Sequence, residues 1–337
     1  MFPRKYKKLS SFKRFILKLL NVYALDRETL NLVNPNYKNS GKNTFNFNKE
    51  TIILSNGFLK LERKIKSLDI FYRYAPNNLM WNSTTRWKRI IPGITKRDLI
   101  LTSLTSLKKS IIKLSSGSKI KITINLICDT SDKSFNDCIL KLLDHDKIRV
   151  NFIESKIKGN RGTYLESCDQ ADKSEDLIFF IEDDYIFEEN CIEEMIITYS
   201  RLSTIFNEDV FLCPSDYPFL YDSSYKTSLY IGNKYKWRTV EETLLTFMMS
   251  KKLYDRYKKN IRMVGEKENK PFEKPLHAIY KKIPCLSPVN SLSYHISRDH
   301  PATTEDSLNL WNNNYTKFIS EKINQQLPQV KVKLLYL

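Results

Sequence analysis

Glycine is scarce in this chain, with 8 residues among 337, and the scarcity excludes several common ligand-binding motifs. The sequence contains no Gly-x-Gly-x-x-Gly segment and no Gly-Lys-Ser/Thr segment. Dinucleotide binding by a Rossmann loop and phosphate binding by a P-loop are therefore not expected, because both need glycines at fixed spacing so that the backbone can approach phosphate. The low glycine content also argues against a β-sandwich.

Cysteine is present but scattered, and no Cys-x-x-Cys pair occurs. Several of the six cysteines fall in apolar runs, which predicts reduced thiols in the core of a cytoplasmic protein rather than disulfides or a structural zinc site. No apolar run approaches the roughly 18 residues that a membrane-spanning helix needs. The first residues also lack the small-residue cleavage site of a secretory signal.

Positive charge is in excess, with 55 Lys and Arg against 38 Asp and Glu, a formal net charge of +17. The excess calls for an anionic partner: nucleic acid, a membrane surface or an anionic ligand. No nucleic-acid-binding motif is present, so nucleic acid is not expected. Residues 1–20 combine basic and apolar side chains at helical spacing, which predicts an amphipathic helix on the inner face of an anionic membrane. Packing of this helix on the protein body is the alternative.

The rest of the chain divides by its hydrophobic pattern. An Asn-rich linker over 21–48 is followed by a predicted helix over 49–67, so 21–66 is expected to be a linker and helical extension. Strand and helix patterns then alternate as β-α-β-α-β-α-β up to the strand at 176–181, and Thr95 is the predicted cap of the first of these helices. This order predicts an α/β fold, a Rossmann-like, mostly parallel sheet flanked by helices. Residues 301–337 form a tail without recognisable chemistry.

The most informative stretch is the apolar strand that ends in Glu182, Asp183 and Asp184. A short apolar run bounded by polar residues is typical of a buried strand in a parallel sheet. Three adjacent carboxylates cannot continue into a core, so they must lie where the strand leaves the sheet. Ligands bind at that edge of α/β sheets, and clustered oxygens suit Mg²⁺ or Mn²⁺. The alternative is the acidic first turn of the helix that follows.

The segment Phe-Phe-Ile-Glu-Asp-Asp-Tyr at 179–185 resembles the metal-binding signature of GT-A glycosyltransferases, and the chain is similar to glycosyltransferase family 2. The resemblance covers 67–300 and implies a nucleotide-sugar half at 67–186 and an acceptor half at 187–300. It implies that Asp184 binds the Mn²⁺ or Mg²⁺ ion that bridges the diphosphate of the donor. Glu182 would support the ion, and Asp183 would contribute on the donor side.

The same resemblance implies further donor contacts. Arg73 and Asp129 end predicted strands, and in the family an acid after the second strand commonly contacts the uracil or ribose. The segment at 158–163 resembles the Gly-Asn-x-Gly that precedes the helix before the metal strand in family 2, so Arg161 is expected near the nucleotide. Ordinary exposed polar residues are the alternative interpretation of Arg73, Asp129 and Arg161.

In the acceptor half, residues 229–237 are predicted to form a β-hairpin, and 238–257 to form a helix. In inverting GT-A enzymes an acid at the start of such a helix is the general base, which implies Glu242 with Glu241 beside it. Asp216 and Asp222 are the next candidates. The family also supplies a late histidine as a metal ligand, which implies His295, with His300 as the alternative.

The resemblance implies a metal-dependent, inverting glycosyltransferase. It would move a sugar from a UDP- or GDP-sugar to a glycan or lipid-linked acceptor. One alternative is a nucleotidyltransferase on a related sheet, which usually carries a Gly-rich basic loop that is missing from this sequence. The other is a non-catalytic basic protein that binds membranes or polyanions. Nucleotide-sugar binding that depends on Mn²⁺ would separate them.

Overall fold

The structure is a computed structural model that describes residues 38–47, 50–58, 61–77, 94–114, 119–130, 132–222, 227–296 and 305–318. The predicted basic helix at 1–20 and His300 lie outside the described residues. The described residues form two compact units, one made of those up to 64 together with 200–208 and one made of the others. Among them, no helix combines the length and apolar composition that a membrane crossing requires.

The first unit contains an antiparallel hairpin of β1 (Lys38–Phe47) and β2 (Glu50–Phe58). The helix predicted over 49–67 is therefore wrong, since this interval begins with a strand. Its first half contains the β-branched run Thr51-Ile52-Ile53, whose side chains favour strands over helices. The strand forms because it can pair with β1. The helical prediction relied on the spacing of the apolar residues alone, which does not indicate this pairing.

The second unit contains the main α/β domain. Its strands are β3 (Ser67–Tyr74), β4 (Lys121–Cys128), β5 (Ile148–Glu154), β6 (Leu177–Glu182), β7 (Tyr185–Phe187), β8 (Phe211–Leu212), β9 (Leu229–Ile231), β10 (Lys236–Val240), β11 (Phe247–Ser250), β12 (Cys285–Pro288) and β13 (Ser293–His295). The helices that belong to it wholly or in part are α1 (Lys96–Lys113), α2 (Lys133–Leu143), α3 (Gly159–Ala171), α4 (Cys191–Phe206), α5 (Lys251–Glu266), α6 (Lys274–Tyr280) and α7 (Glu305–Asn314).

Nine described strands form the main sheet in the order β5-β4-β3-β6-β11-β8-β12-β10-β9. Strands β3 to β6 are parallel neighbours, and only β10 and β11 of the nine run against the common direction. The predicted α/β fold with a mostly parallel sheet is thus confirmed. Because β3, β4 and β6 share one direction, their carboxyl ends meet at one edge, which we call the functional edge.

Helix α1 places basic residues at the functional edge. Thr95 caps the helix and forms a capping box with Asp98, as the sequence predicted for the start of this helix. Most of its apolar side chains, including Leu99 and Leu104, are buried. The cap fixes where the helix begins, so Lys96 and Arg97 occupy its first turn.

Residues 229–257 differ from the prediction at one point. The hairpin predicted over 229–237 is confirmed by the pairing of β9 with β10. The helix predicted to open at Arg238 is wrong, because a loop at 241–246 and strand β11 come first and α5 begins only after Ser250. The apolar residues of β11 are buried between β6 and β8, and this tertiary pairing outweighs local helical spacing.

Strand β13 and helix α7 bring a late part of the chain back to the functional edge. Strand β13 pairs with β7, directly after the three acids. Helix α7 packs beside this pair through Trp311, which is fully buried in a cluster with Leu99 and Ile186. Residues 305–318, expected to be a tail, therefore belong to the packed domain, and they support the strand pair that carries His295.

Candidate active site

His295 and Asp184 are brought together by the pairing of β7 and β13. His295 lies opposite Tyr185 in this pair, and the Ile296 amide donates to the Asp184 carbonyl at 2.7 Å. The Tyr185 ring stacks on the His295 ring with 4.8 Å between centroids. The imidazole is thus held by backbone pairing on one side and by a buried aromatic ring on its face.

Glu182, Asp184 and His295 form what we call the metal cluster. One potential ligand atom from each lies within 4.8 Å of the other two. His295 Nε2 is 3.1 Å from Asp184 Oδ2. Asp184 Oδ1 is buried and accepts no hydrogen bond from the residues that the structure describes. A buried carboxylate oxygen without a donor is costly, and a cation bound here would supply the missing partner.

The electrostatics of the cluster favour an ionised Asp184. Burial opposes ionisation, but the neighbouring His295 lowers the pKa of Asp184 to about 2. Burial also opposes protonation of His295, yet Asp184 raises the pKa of the imidazole. Burial raises the pKa of Glu182, with Arg73 acting against the shift and Asp184 adding to it. The three groups therefore hold negative charge that a histidine proton or a metal ion can neutralise.

A buried arginine and a partly buried lysine flank the acids. Arg73, at 4% exposure, donates to Glu182 Oε1 at 2.6 Å and also to the Asn160 side chain. Lys96 donates to Asp183 Oδ1 at 2.6 Å, and the Ala75 amide donates to Asp183 Oδ2 at 3.0 Å. Asp183 is thereby tied to α1 and to the end of β3, whereas Asp184 faces His295.

The two other predicted donor contacts have different surroundings. Asp129 directly follows β4 and is half-buried at the functional edge, next to the end of β3. Arg161 is exposed, and its Nε donates to the Gly265 carbonyl in the last turn of α5 at 2.9 Å. Arg161 therefore contacts α5, whereas its neighbour Asn160 contacts Arg73.

Glu242, Glu273 and His277 form a second group, which we call the carboxylate pair with its histidine. His277 Nε2 lies 2.9 Å from Glu242 Oε2. Glu273 is fully buried, and burial together with the charge of Glu242 raises its pKa well above the ordinary value. Both effects favour the protonated form of Glu273. Glu241 is half-buried in the same loop and is not part of this group.

Glu273 also shapes the loop that carries Glu242. Its carboxyl group accepts the Thr243 amide at 2.7 Å and the Leu245 amide. Leu244 and Leu245 have φ of 47° and 56°, a left-handed conformation that costs of order 1 kcal/mol or more for such residues. Strain of this kind persists only where the surroundings enforce it, and the buried Glu273 carboxyl group supplies that constraint.

The two clusters lie at the same edge of the sheet. Strand β11 pairs with β6 so that Phe247 lies opposite Phe180, and extending this register brings Leu245 level with Glu182. A chain of hydroxyl groups spans the gap. Tyr185 and Tyr217 share a hydrogen bond of 2.7 Å, and the Tyr217 hydroxyl is 3.0 Å from the Thr243 carbonyl. The loop at 241–246 is thereby fixed next to the metal cluster.

Sequence reasoning missed four of these residues: Lys96, Asn160, Glu273 and His277. Two of them left a readable signal. Lys96 occupies the first position of a helix whose cap was recognisable, and Asn160 belongs to the segment that was singled out for Arg161. Glu273 and His277 left none, because their roles depend on contacts with a loop about 30 residues earlier, which only the folded chain creates.

Comparisons with known proteins find only structures of low sequence identity to this chain. No family model matches the chain, and no curated protein matches it. A solved structure of UDP-glucose pyrophosphorylase complexed with UDP-glucose is similar over 75% of this chain and 99% of that chain, at 11% identity and a TM-score of 0.41. The apo structure of the WbbM bifunctional glycosyltransferase is similar over 64% of this chain and 37% of that chain, at 9% identity and a TM-score of 0.38. Neither likeness decides the activity of this chain.

Proposed function

We propose that the protein is a metal-dependent glycosyltransferase that uses a nucleotide-diphospho-sugar, with UDP or GDP as the nucleotide. The metal cluster carries this proposal. Two carboxylates and an imidazole converge at the functional edge of a parallel sheet, and one buried oxygen of Asp184 accepts no hydrogen bond from the described residues. Open α/β sheets bind their ligands at this edge.

The donor atoms of the cluster suit Mn²⁺ better than Mg²⁺. Carboxylate oxygens bind either ion, but an imidazole nitrogen is more acceptable to Mn²⁺, since Mg²⁺ prefers oxygen. Asp184, Glu182 and His295 would hold the ion, which when bound would neutralise charge that develops on the leaving diphosphate. Arg73 holds Glu182 in place through the 2.6 Å contact.

The other proposed contacts with the nucleotide sugar are inferred from where the residues lie at the functional edge. Asp129, at the end of β4, is available to the base or ribose of the nucleotide. Asp183 would act through Lys96, which it holds at the start of α1. Arg161 would reach the nucleotide only after its contact with the Gly265 carbonyl breaks. Asn160, which already contacts Arg73, is better placed to bind the nucleotide.

Glu242 is the proposed general base. Its carboxylate is paired with His277 and lies beside the buried Glu273, on a loop level with the metal cluster. It would accept the proton of the acceptor hydroxyl as that oxygen attacks the anomeric carbon. A direct attack opposite the leaving diphosphate would invert the configuration, and Glu241 is the nearby alternative in the same loop.

A thermal-shift panel tests the proposal. A ligand at 100 times its dissociation constant adds about 2.7 kcal/mol to the free energy of unfolding, so one class of UDP- or GDP-sugar should stabilise the protein only when Mn²⁺ is present. Asp184→Asn should lose this effect, while Asp146→Asn, an exposed acid before β5, should keep it.

Other outcomes of the panel would point elsewhere. Stabilisation by a nucleoside triphosphate, with pyrophosphate released when a sugar phosphate is added, would support a nucleotidyltransferase. A wild-type protein that ignores every nucleotide sugar with Mn²⁺ would overturn the proposal and leave the non-catalytic alternative.

A further inference from the structure

One exposed aromatic ring near the functional edge is unusually well fixed. Tyr221, at 56% exposure, lies in a short 3₁₀ turn at Pro218–Asp222. The Arg238 guanidinium lies 4.1 Å from the centre of its ring. The Tyr221 hydroxyl donates to Asp216 Oδ2 at 2.5 Å. The ring is therefore held both at its hydroxyl and through the guanidinium.

The support beneath the ring is itself buried. Arg238 is 4% exposed and donates from Nε and Nη2 to Asp216 Oδ1 at 2.9 and 2.7 Å. The Asp216 amide donates to Ser291 Oγ at 2.8 Å, which ties this segment to the loop between β12 and β13. An ion pair held this way leaves the guanidinium little freedom, so the stacked tyrosine has one defined orientation.

Fixing an exposed side chain has a cost that burial does not offset. A restrained tyrosine loses rotamer freedom, and a ring left more than half exposed gains little from the hydrophobic effect. A ring fixed in advance instead lowers the entropy that a ligand loses on binding. The arrangement is thus better suited to presenting a flat apolar face to a ligand than to stabilising the fold.

The segment that carries the ring is connected to the metal cluster. Strand β8 runs in the same direction as β6, so the segment after it leaves the sheet at the functional edge. Within that segment Phe219, exposed at 37%, stacks on Tyr217 with 5.6 Å between ring centres. Tyr217 in turn shares a hydrogen bond with Tyr185, the residue after Asp184.

We propose that Tyr221 and Phe219 form a saccharide-binding platform for the acceptor, with Tyr221 as the stacking residue. The platform rests on the proposed function, since it supplies the acceptor side of that reaction. A saccharide fits because it offers an apolar ring face that can stack on the exposed tyrosine. Arg238 and Asp216 act as positioning residues beneath the ring.

A glycan array followed by calorimetry tests the platform. Wild-type protein with Mn²⁺ and UDP should bind a set of glycans, and the affinity of the best one is then measured for each variant. Tyr221→Ala should weaken it by about tenfold or more, and Tyr221→Phe, which keeps the ring, by about threefold at most. Phe219→Ala should lie between them, and Leu140→Ala, an exposed apolar residue of α2, should match the wild type.

Binding of Mn²⁺ and UDP distinguishes failure of the platform from failure of the proposed function. Stabilisation by Mn²⁺ and UDP should be equal in the wild type and in all four variants, which also reports that they fold. A wild type that lacks this stabilisation would overturn the proposed function. Intact donor binding with no glycan bound, or with Tyr221→Ala binding as tightly as the wild type, would overturn the platform alone.

Discussion

Three adjacent acids at the end of β6 have three different environments. Glu182 is paired with Arg73, Asp183 with Lys96, and Asp184 faces His295 with one buried oxygen that no described donor reaches. The spacing of the sequence could not separate these roles, because they depend on which neighbouring element each side chain meets. The difference explains why Asp184 is the residue on which the metal proposal depends.

The histidine makes metal binding sensitive to pH. Burial opposes protonation, but Asp184 raises the pKa of His295 above its ordinary value of 6.5. Only the neutral ring can coordinate a metal, so Mn²⁺ affinity should fall as the pH drops through this raised pKa, beginning above pH 6.5. Calorimetric titration of Mn²⁺ across pH checks this. His295→Ala should bind more weakly with a flatter profile, whereas His145→Ala should behave as the wild type.

An unchanged affinity and pH profile in His295→Ala would remove the histidine from the metal cluster. Loss of folding in that variant would be visible as loss of the thermal transition, so it can be told apart from loss of the ligand.

Glu242 should be required for turnover but not for donor binding. Glu242→Gln keeps the size of the side chain and removes its ability to accept a proton, so turnover should fall by about 10² to 10⁴. The dissociation constant of the donor should remain unchanged. Steady-state kinetics and calorimetry on the same preparation provide both measurements. If Glu241→Gln is instead the variant that loses turnover, the base is Glu241.

At the scale of elements, the loop at 241–246 depends on a residue in another element. Glu273 accepts two buried backbone amides of the loop. Each unpaired buried group costs about 1–3 kcal/mol, so Glu273→Ala should lower the free energy of unfolding by about 3 kcal/mol. Denaturant titration measures the change, and Glu268→Ala, at an exposed acid, should alter it by about 0.5 kcal/mol at most. A loss below about 1 kcal/mol for Glu273→Ala would mean that the loop holds its shape without this carboxyl group.

The elements also show what the sequence could and could not reveal. Strands β3 to β6 and helices α1 to α3 were predictable, because each carries its own hydrophobic period and clear boundaries such as the Thr95 cap. Strands β2 and β11 were predicted as helix, since their structure follows from partners elsewhere in the chain. The nearness of His295 to Asp184 was expected from family resemblance. The link from Glu242 to His277 was not, because no local pattern encodes it.

At the scale of the whole molecule, the net charge of +17 is concentrated in part at residues 1–20, which lie outside the described residues. The sequence predicts that this segment binds an anionic bilayer. Deleting it should reduce binding to anionic vesicles, measured by co-sedimentation, while turnover on a soluble acceptor is kept. Raising the salt concentration should also weaken binding, because charges are screened within about 8 Å at physiological ionic strength. Full-length protein that ignores such vesicles at low salt would refute the prediction.

The central claim is that Asp184 and its neighbours bind a divalent ion together with a nucleotide diphosphate. Electron paramagnetic resonance of Mn²⁺ titrated into the protein tests it most directly, since it counts bound ions without requiring the sugar or the acceptor to be known. We expect one bound Mn²⁺ per chain, held more tightly when UDP or GDP is added, lost in Asp184→Asn and kept in Asp146→Asn. Binding of Mn²⁺ to Asp184→Asn with wild-type affinity would contradict the account.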